Sequence, residues 1–527
     1  MSVPYPPGAA LLPGALVVAF LSVAPAAASD QLGTVVFPTS CSPAVRPTIE
    51  RGVALLHSFQ YDEAARAFNE AGGRDASCAM CHWGKAMTLY HQLFDWPTAD
   101  ALKEGQREIA QAQHLGGRTV RERGYIAAAA AFFNAQRGAV HADRIRAYSH
   151  QLATLHRRFP QDGEATAFYA LSLVTLAGEH VDSLANLRQA ISMLDPLRRQ
   201  QPDHPGAAHY LIHAADRPEL APVGLEAARA YAGIAPDSSH ALHMPSHIFV
   251  RLGLWEEAIA LNLRAAASGA HAAMEHRGDY TYQIHAMDYL RYAYLQRGLE
   301  SKARALHDEL RDVPAASDHE KMADRAYFAG HTLIELHRWS EAAALPVPDL
   351  EPSWLSDALW ARTIGAARNG DSASARENLV RFRESLHALE AGRVAGSGRD
   401  SEMPAAQLEA EAWVAFAEGH GDQALTYLRR AADRESADPE ESVTVPAREM
   451  LADLLFEMER PAESLSAYQS ALKAAPNRFD ALLGAARAAD ALGASAQARE
   501  YYLQLIAIAA PNADRPEVET ARAYLAR

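Results

Sequence analysis

Counting back from Pro476, small and apolar side chains fall where two antiparallel helices must approach closely. Leu451, Ala452 and Leu455 lie on a first helix, and Ser464, Tyr468 and Ala471 on a second. Shifted by one 34-residue unit, the same grid meets Ala486, Ala489, Ala498 and Tyr502, with Pro511 one residue late. Gly52, Ala64, Phe68 and Ala71 repeat the pattern near the front, and Ala258 with Ala265 and Ala424 with Ala431 repeat it between. A helix pair of this kind cannot bury its apolar face alone. Stacked copies are therefore required, and the stack winds into a superhelix. Alternating β-branched or aromatic runs are scarce, whereas Ala, Leu, Glu and Arg recur at helical spacing, so the chain reads as all-α.

The 34-residue grid is that of the tetratricopeptide repeat. The expected fold is an all-α, tetratricopeptide-like helical-repeat solenoid, a right-handed superhelix of helix-turn-helix units. Turns are expected at Gly116-Gly117, Pro160, Gly298, Pro346 to Pro348 and Gly370. Residues 29–44 read as an entry segment, 45–390 as degenerate repeats and 405–527 as regular C-terminal ones. The glycine- and serine-bearing stretch 391–404 reads as a linker.

The first 28 residues carry no charged side chain, and the apolar run Ala9 to Ala28 ends in small residues, Ala24-Pro25-Ala26 and Ala26-Ala27-Ala28. That pattern predicts a cleaved secretory signal over 1–28, and hence a periplasmic or secreted product. An N-terminal anchor is the alternative, but Pro13 and Pro25 interrupt the run. No later stretch has the length of a membrane span. Sixty-five acids against 50 bases give a net charge of -15, which disfavours nucleic acid and suits a basic partner or a neutral ligand.

Several stretches carry a wider resemblance: Phe37 to Cys41, Gly52 to Phe59, Cys78-Ala-Met-Cys-His-Trp-Gly84, His209-Tyr-Leu-Ile-His213, His240-Ala-Leu-His-Met-Pro-Ser-His247 and Ala475 to Phe479. Together they resemble a family of exported bacterial tetratricopeptide-repeat proteins over nearly the whole mature chain. The resemblance implies the fold and export, and no settled activity.

Two clusters carry chemistry. Cys78-Ala-Met-Cys81-His82 has the spacing that holds haem c, with two thioethers on one helical turn and an adjacent imidazole for the iron. The competing readings place Cys78 and Cys81 in a repeat core, or pair Cys41 with one of them as a disulfide staple of an exported chain. The aromatic stripe Trp83, Tyr90, Phe94 and Trp96 serves either a ligand pocket or packing.

The second cluster is richer. Nine of the 23 histidines fall between His204 and His285. His209 and His213 are i,i+4, as are His243 and His247, with His240 one turn earlier. Neutral imidazoles on rigid helices suit copper, zinc or iron, and His209, His213, His243, His247 and His240 are the expected ligands of one transition-metal ion. Asp216 and Asp288 would fix the imidazole tautomers, and Met244 and Met287 would serve as soft ligands. Pro245 leaves the helical geometry of His243 and His247 open, and helix-face histidines bonded to backbone or carboxylates are the plain alternative. No phosphate loop, HExxH or GxSxG occurs. The sequence therefore supports a scaffold that holds a protein or peptide on its concave face and a metal in its middle repeats, with the haem protein and a metal-free interaction solenoid as alternatives.

Overall fold

The computed structural model describes residues 31–93, 96–136, 138–179, 183–274, 280–313, 316–392, 403–437 and 443–527. Residues 1–28, Phe94, His276 and most of the 391–404 linker lie outside them. The described residues form α-helices with short 3-10 turns and no strand. Consecutive helices pack as antiparallel pairs, and each pair stacks on the next. The chain is a tetratricopeptide-like helical-repeat protein.

The repeat grid explains this locally. Leu451, Ala452 and Leu455 are buried on Ala447–Glu457, and Ser464, Tyr468 and Ala471 on Pro461–Ala474. The Ser464 hydroxyl donates to the Ala452 carbonyl (2.8 Å), tying the two helices where only small side chains fit. Near the front, Gly52 and Gly84 both lie against the Phe68 ring; a Cβ on Gly84 would come within 2.3 Å of it. Gly298 ends Thr281–Gln296 at φ 69°, a left-handed turn that glycine adopts without strain.

The stack is not open-ended. Residues from Val443 onward fold back onto the middle repeats. The Trp255 indole N–H donates to the Asn477 carbonyl (2.8 Å), and the Ala510 and Asp514 amides donate to the Arg297 and Gly298 carbonyls (2.9 Å each). At the centre of this closure Arg478 is fully buried. It pairs with Glu449 (2.7 and 2.9 Å) and Glu335 (2.7 Å), and it donates to the Tyr292 hydroxyl. Burial opposes the charge, but Glu335 and Glu449 hold the guanidinium well above its ordinary value. Tyr292 lies on Thr281–Gln296, so the closure fixes a helix that also carries a site histidine.

At the other end, the entry segment runs along the starts of successive helices. The Thr34 amide donates to the Asp203 carbonyl (2.8 Å). Phe37 is buried, stacked on Trp83 (5.3 Å) beneath the Arg121 guanidinium. A disulfide joins Cys41 to Cys78 and ties this segment to the second helix pair.

Candidate metal centre

The disulfide changes the haem expectation. Cys78 stands just before Ala79–Met87 and faces the entry segment, where its sulfur is bonded to Cys41. A thioether at Cys78 would require that bond to be open. Cys81, one turn later, turns into the core as a buried free thiol, and burial pushes its pKa up to about 12. His82 pairs with Glu108 through Nδ1 (2.5 Å). Trp83 and Tyr90 are buried in aromatic packing, with Tyr90 stacked on Phe132, and Trp96 stacks on His141.

All five expected metal ligands lie together, joined by one more. Pro205–Ala215 carries His209 and His213, and starts at a proline whose missing N–H costs nothing there. Ser239–His243 carries His240 and His243. Met244 keeps helical φ/ψ (-51°, -36°), so the chain passes directly into Pro245–Arg251, which carries His247. Pro245 sits at the first position of that helix, and the i,i+4 relation of His243 and His247 survives it. Thr281–Gln296 contributes His285.

These six imidazoles divide into two sets of three, where the sequence suggested one ion. In the first, His209 Nε2 lies 3.0 Å from His240 Nε2 and 3.1 Å from His213 Nε2. In the second, His243 Nε2 lies 3.0 Å from His247 Nε2, with His285 completing the set. Within each set one nitrogen per ring falls within 4.8 Å of the others. The division follows from the helix face: His240, His243 and His247 share one stripe, but His240 sits a turn before His243 and meets the His209 helix instead. His213 is partly open and His285 exposed, so each set has one ligand toward solvent.

The outer bonds assign the tautomers. His209 Nδ1–H donates to the His57 carbonyl (2.6 Å). His243 Nδ1–H donates to Asn262 Oδ1 (2.7 Å), and the Asn262 amide donates to the Ala258 carbonyl (2.9 Å), which fixes that side chain's orientation. His247 Nδ1–H donates to Asp216 Oδ2 (2.8 Å). Asp216 also accepts from Arg251 Nε (2.9 Å); although burial opposes it, Arg251 and His247 hold its carboxyl well below the usual range. A carboxylate or carbonyl on Nδ1 directs the ε lone pair inward, the arrangement common behind metal-bound imidazole. Burial lowers His209, His240 and His243 well below the ordinary imidazole value and His213 to about 3, so the rings are neutral at pH 7.

Around the sets, Tyr231 stacks on His209 (5.1 Å), and Phe59, held at φ 56°, meets His209 edge-on (4.5 Å). Asp288 takes no part: it accepts from Arg291 Nε and the Tyr327 hydroxyl (2.8 Å each). Met244 and Met287 are buried core residues. Sequence reasoning missed His285 as a ligand and Asn262 as an outer partner. His57, 152 residues earlier, supplies the carbonyl behind His209. Its own ring bonds Glu164 (2.6 Å) and Tyr210 (2.8 Å) in a separate buried group with His204.

The sequence matches no family model and no curated protein. Among solved structures, a tetratricopeptide repeat protein from Parabacteroides merdae aligns at 13% identity and TM-score 0.30 over 55% of this chain and 97% of that one. Human IFIT1, as a dimer with PPP-AAAA, aligns at 14% and 0.35 over 87% and 89%. The APC/C hetero-tetramer Cut9-Hcn1 aligns at 12% and 0.30 over 92% and 95%.

Proposed function

We propose that this chain is an exported tetratricopeptide-like binding scaffold that holds a transition metal on the histidines of its middle repeats. The observation that carries this reading is the contact between His243 and His247. Both rings commit Nδ1–H to an outer acceptor, so in their neutral forms two lone pairs face each other at 3.0 Å inside the protein. Such a contact needs a cation. A proton would serve two nitrogens, but a third imidazole aimed at the same place fits a metal ion. The first set, His209, His213 and His240, supports the same reading. All-imidazole ligation suits copper above zinc or iron by the ordinary order of affinities.

Export is supported by the uncharged apolar leader and by a disulfide of the kind that persists in oxidising compartments. A protein or peptide partner on the repeat surface belongs to the same reading, and the acidic net charge favours a basic one. The test is metal analysis of protein purified from the periplasm of a copper- and zinc-supplemented host. At least one equivalent is expected, and the His243→Ala/His247→Ala double variant should lose the ion held by the second set. Less than about a tenth of an equivalent, with unchanged melting on metal addition, would sink the proposal.

A further inference from the structure

The two histidine sets invite a more specific assignment, which rests on the metal reading above. We infer that they form one dinuclear copper centre, with three imidazoles on each ion and a small anion such as hydroxide bridging the two. Three observations carry it.

The first is proximity. His240 serves one set and His243 the other, one turn apart on the same helix, so the two sets adjoin. The His213 ring lies 6.5 Å from His247 of the other set and 6.2 Å from His240 of its own. Two-metal sites generally fall at about 3.5–4 Å, a separation that a single bridging atom or diatomic spans.

The second is an open coordination position. Three protein ligands per ion leave the fourth place to an exogenous group, as in sites that bind small molecules rather than merely brace a fold. His213 and His285 are the solvent-facing members of their sets, so a small ligand has its approach on that side.

The third is charge. Two divalent ions held by six imidazoles would bring four positive charges into the site. Asp216, which accepts from His247, is already paired with Arg251, and nearby Asp288 pairs with Arg291. These two carboxylates are thus already offset by their arginines, and a bridging anion would supply negative charge that they do not. The same shortage favours copper over iron or zinc, because copper can also rest in the monovalent state on three neutral nitrogens.

The experiment loads the purified full mature chain with copper(II) and reads stoichiometry and spin together, with azide as the added anion. Two equivalents are expected, and the paramagnetic signal should account for less than about a tenth of the bound copper because bridged ions couple. His213→Ala and His285→Ala change the least buried ligand of each set. Each should lower copper to one equivalent and restore one full spin per chain. One equivalent in the unaltered protein, or two equivalents giving two independent spins, overturns the dinuclear assignment and leaves the metal reading standing. Absence of bound copper overturns both. The unaltered protein decides the matter even if a variant fails to fold.

Discussion

Arg478 offers the sharpest test of how the C-terminal repeats are held. It is fully buried and shared by Glu449 and Glu335, themselves about as deeply buried. Replacing it with methionine fills much of the volume but strands two carboxylates without a counter-charge. Loss of one partner from a buried ionic group costs about 3–5 kcal/mol. The lost contacts join the start of Phe479–Ala491 to Glu449 on Ala447–Glu457, to Glu335 on Asp318–Glu335 and to Tyr292 on Thr281–Gln296, so the damage should be local: the closure opens while the front repeats stay folded. Hydrogen exchange read by peptide is the appropriate assay, because a repeat array need not unfold in one step. Amides of Phe479–Ala491 should lose about 150- to 5000-fold protection in Arg478→Met, whereas those of Arg46–His57 should be unchanged. The triple variant Arg478→Met/Glu449→Leu/Glu335→Leu should recover most of the loss, because ordinary apolar packing often replaces a buried ionic group at little cost. Protection within threefold of the unaltered protein in Arg478→Met would refute the reasoning, as would a triple variant worse than the single one.

Other expectations follow from the same structure. The Cys41–Cys78 bond closes a separation of 37 residues, so the Cys41→Ser/Cys78→Ser variant should lose about 4 kcal/mol by chain entropy. Alkylation of the unaltered protein should label one cysteine after denaturation and three only after reduction; labelling of Cys81 in the native state would contradict its burial. Glu122 accepts from the Ser40 amide (2.6 Å) and hydroxyl and from the Thr119 amide (2.8 Å); burial opposes these bonds, yet they lower its pKa. Its contribution is present above the unfolded value of ~4.3 and lost as pH falls through the lower folded one, and Glu122→Gln should cost about 1–3 kcal/mol at pH 7 by urea titration. Gly84→Ala should destabilise by about 1–3 kcal/mol because the new methyl meets the Phe68 ring, with Gly52→Ala milder, and equal melting temperatures for Gly84→Ala and the unaltered chain would contradict the packing. In the metal-free protein, imidazoles at His209, His213, His240 and His243 are neutral when folded and take up protons only when unfolded, so the urea midpoint should fall as pH drops below ~6.5; a flat midpoint from pH 7 to 5 would argue against their burial.

The repeat was legible because it depends on local requirements. Ala452, Ser464 and Ala471 are small for the same steric reason in every unit, and a period can be read without knowing how units face one another. Asp216 was legible for a similar reason, since an acid close to a histidine pair is a natural Nδ1 acceptor. The split into two sets was not. Whether His240 joins His209 or His243 depends on where the Pro205–Ala215 and Thr281–Gln296 helices lie against one stripe, and that is set by packing between units. His285 was counted in the cluster, but nothing in its spacing aimed it at His243. Closure of the chain was hidden further still: Arg478 meets Glu335 across 143 positions, and an isolated arginine after Pro476-Asn477 carries no sign of its partner. Cys78 was ambiguous because CxxCH spacing serves thioethers and leaves a staple to Cys41 equally open.

The placement of the site follows from what a helical-repeat array can do that a loop cannot. Four helices hold the six imidazoles, and in three of the rings the outer nitrogen is tied by a bond that the backbone or a neighbouring helix supplies: the His57 carbonyl for His209, Asn262 for His243, Asp216 for His247. The same burial that lowers the pKa of His209 and His243 makes their inward lone pairs costly in the absence of a cation. Leucines on these faces would pack without that cost, so the arrangement sacrifices stability locally in exchange for pre-aimed ligands. Metal binding would return it, by about 2.7 kcal/mol at a free concentration one hundred times Kd. Stability of the middle repeats and occupancy of the site are then coupled quantities. The closure through Arg478 belongs to the same arrangement, because Tyr292 and His285 share one helix: whatever holds the C-terminal repeats in place also holds the third ligand of the second set.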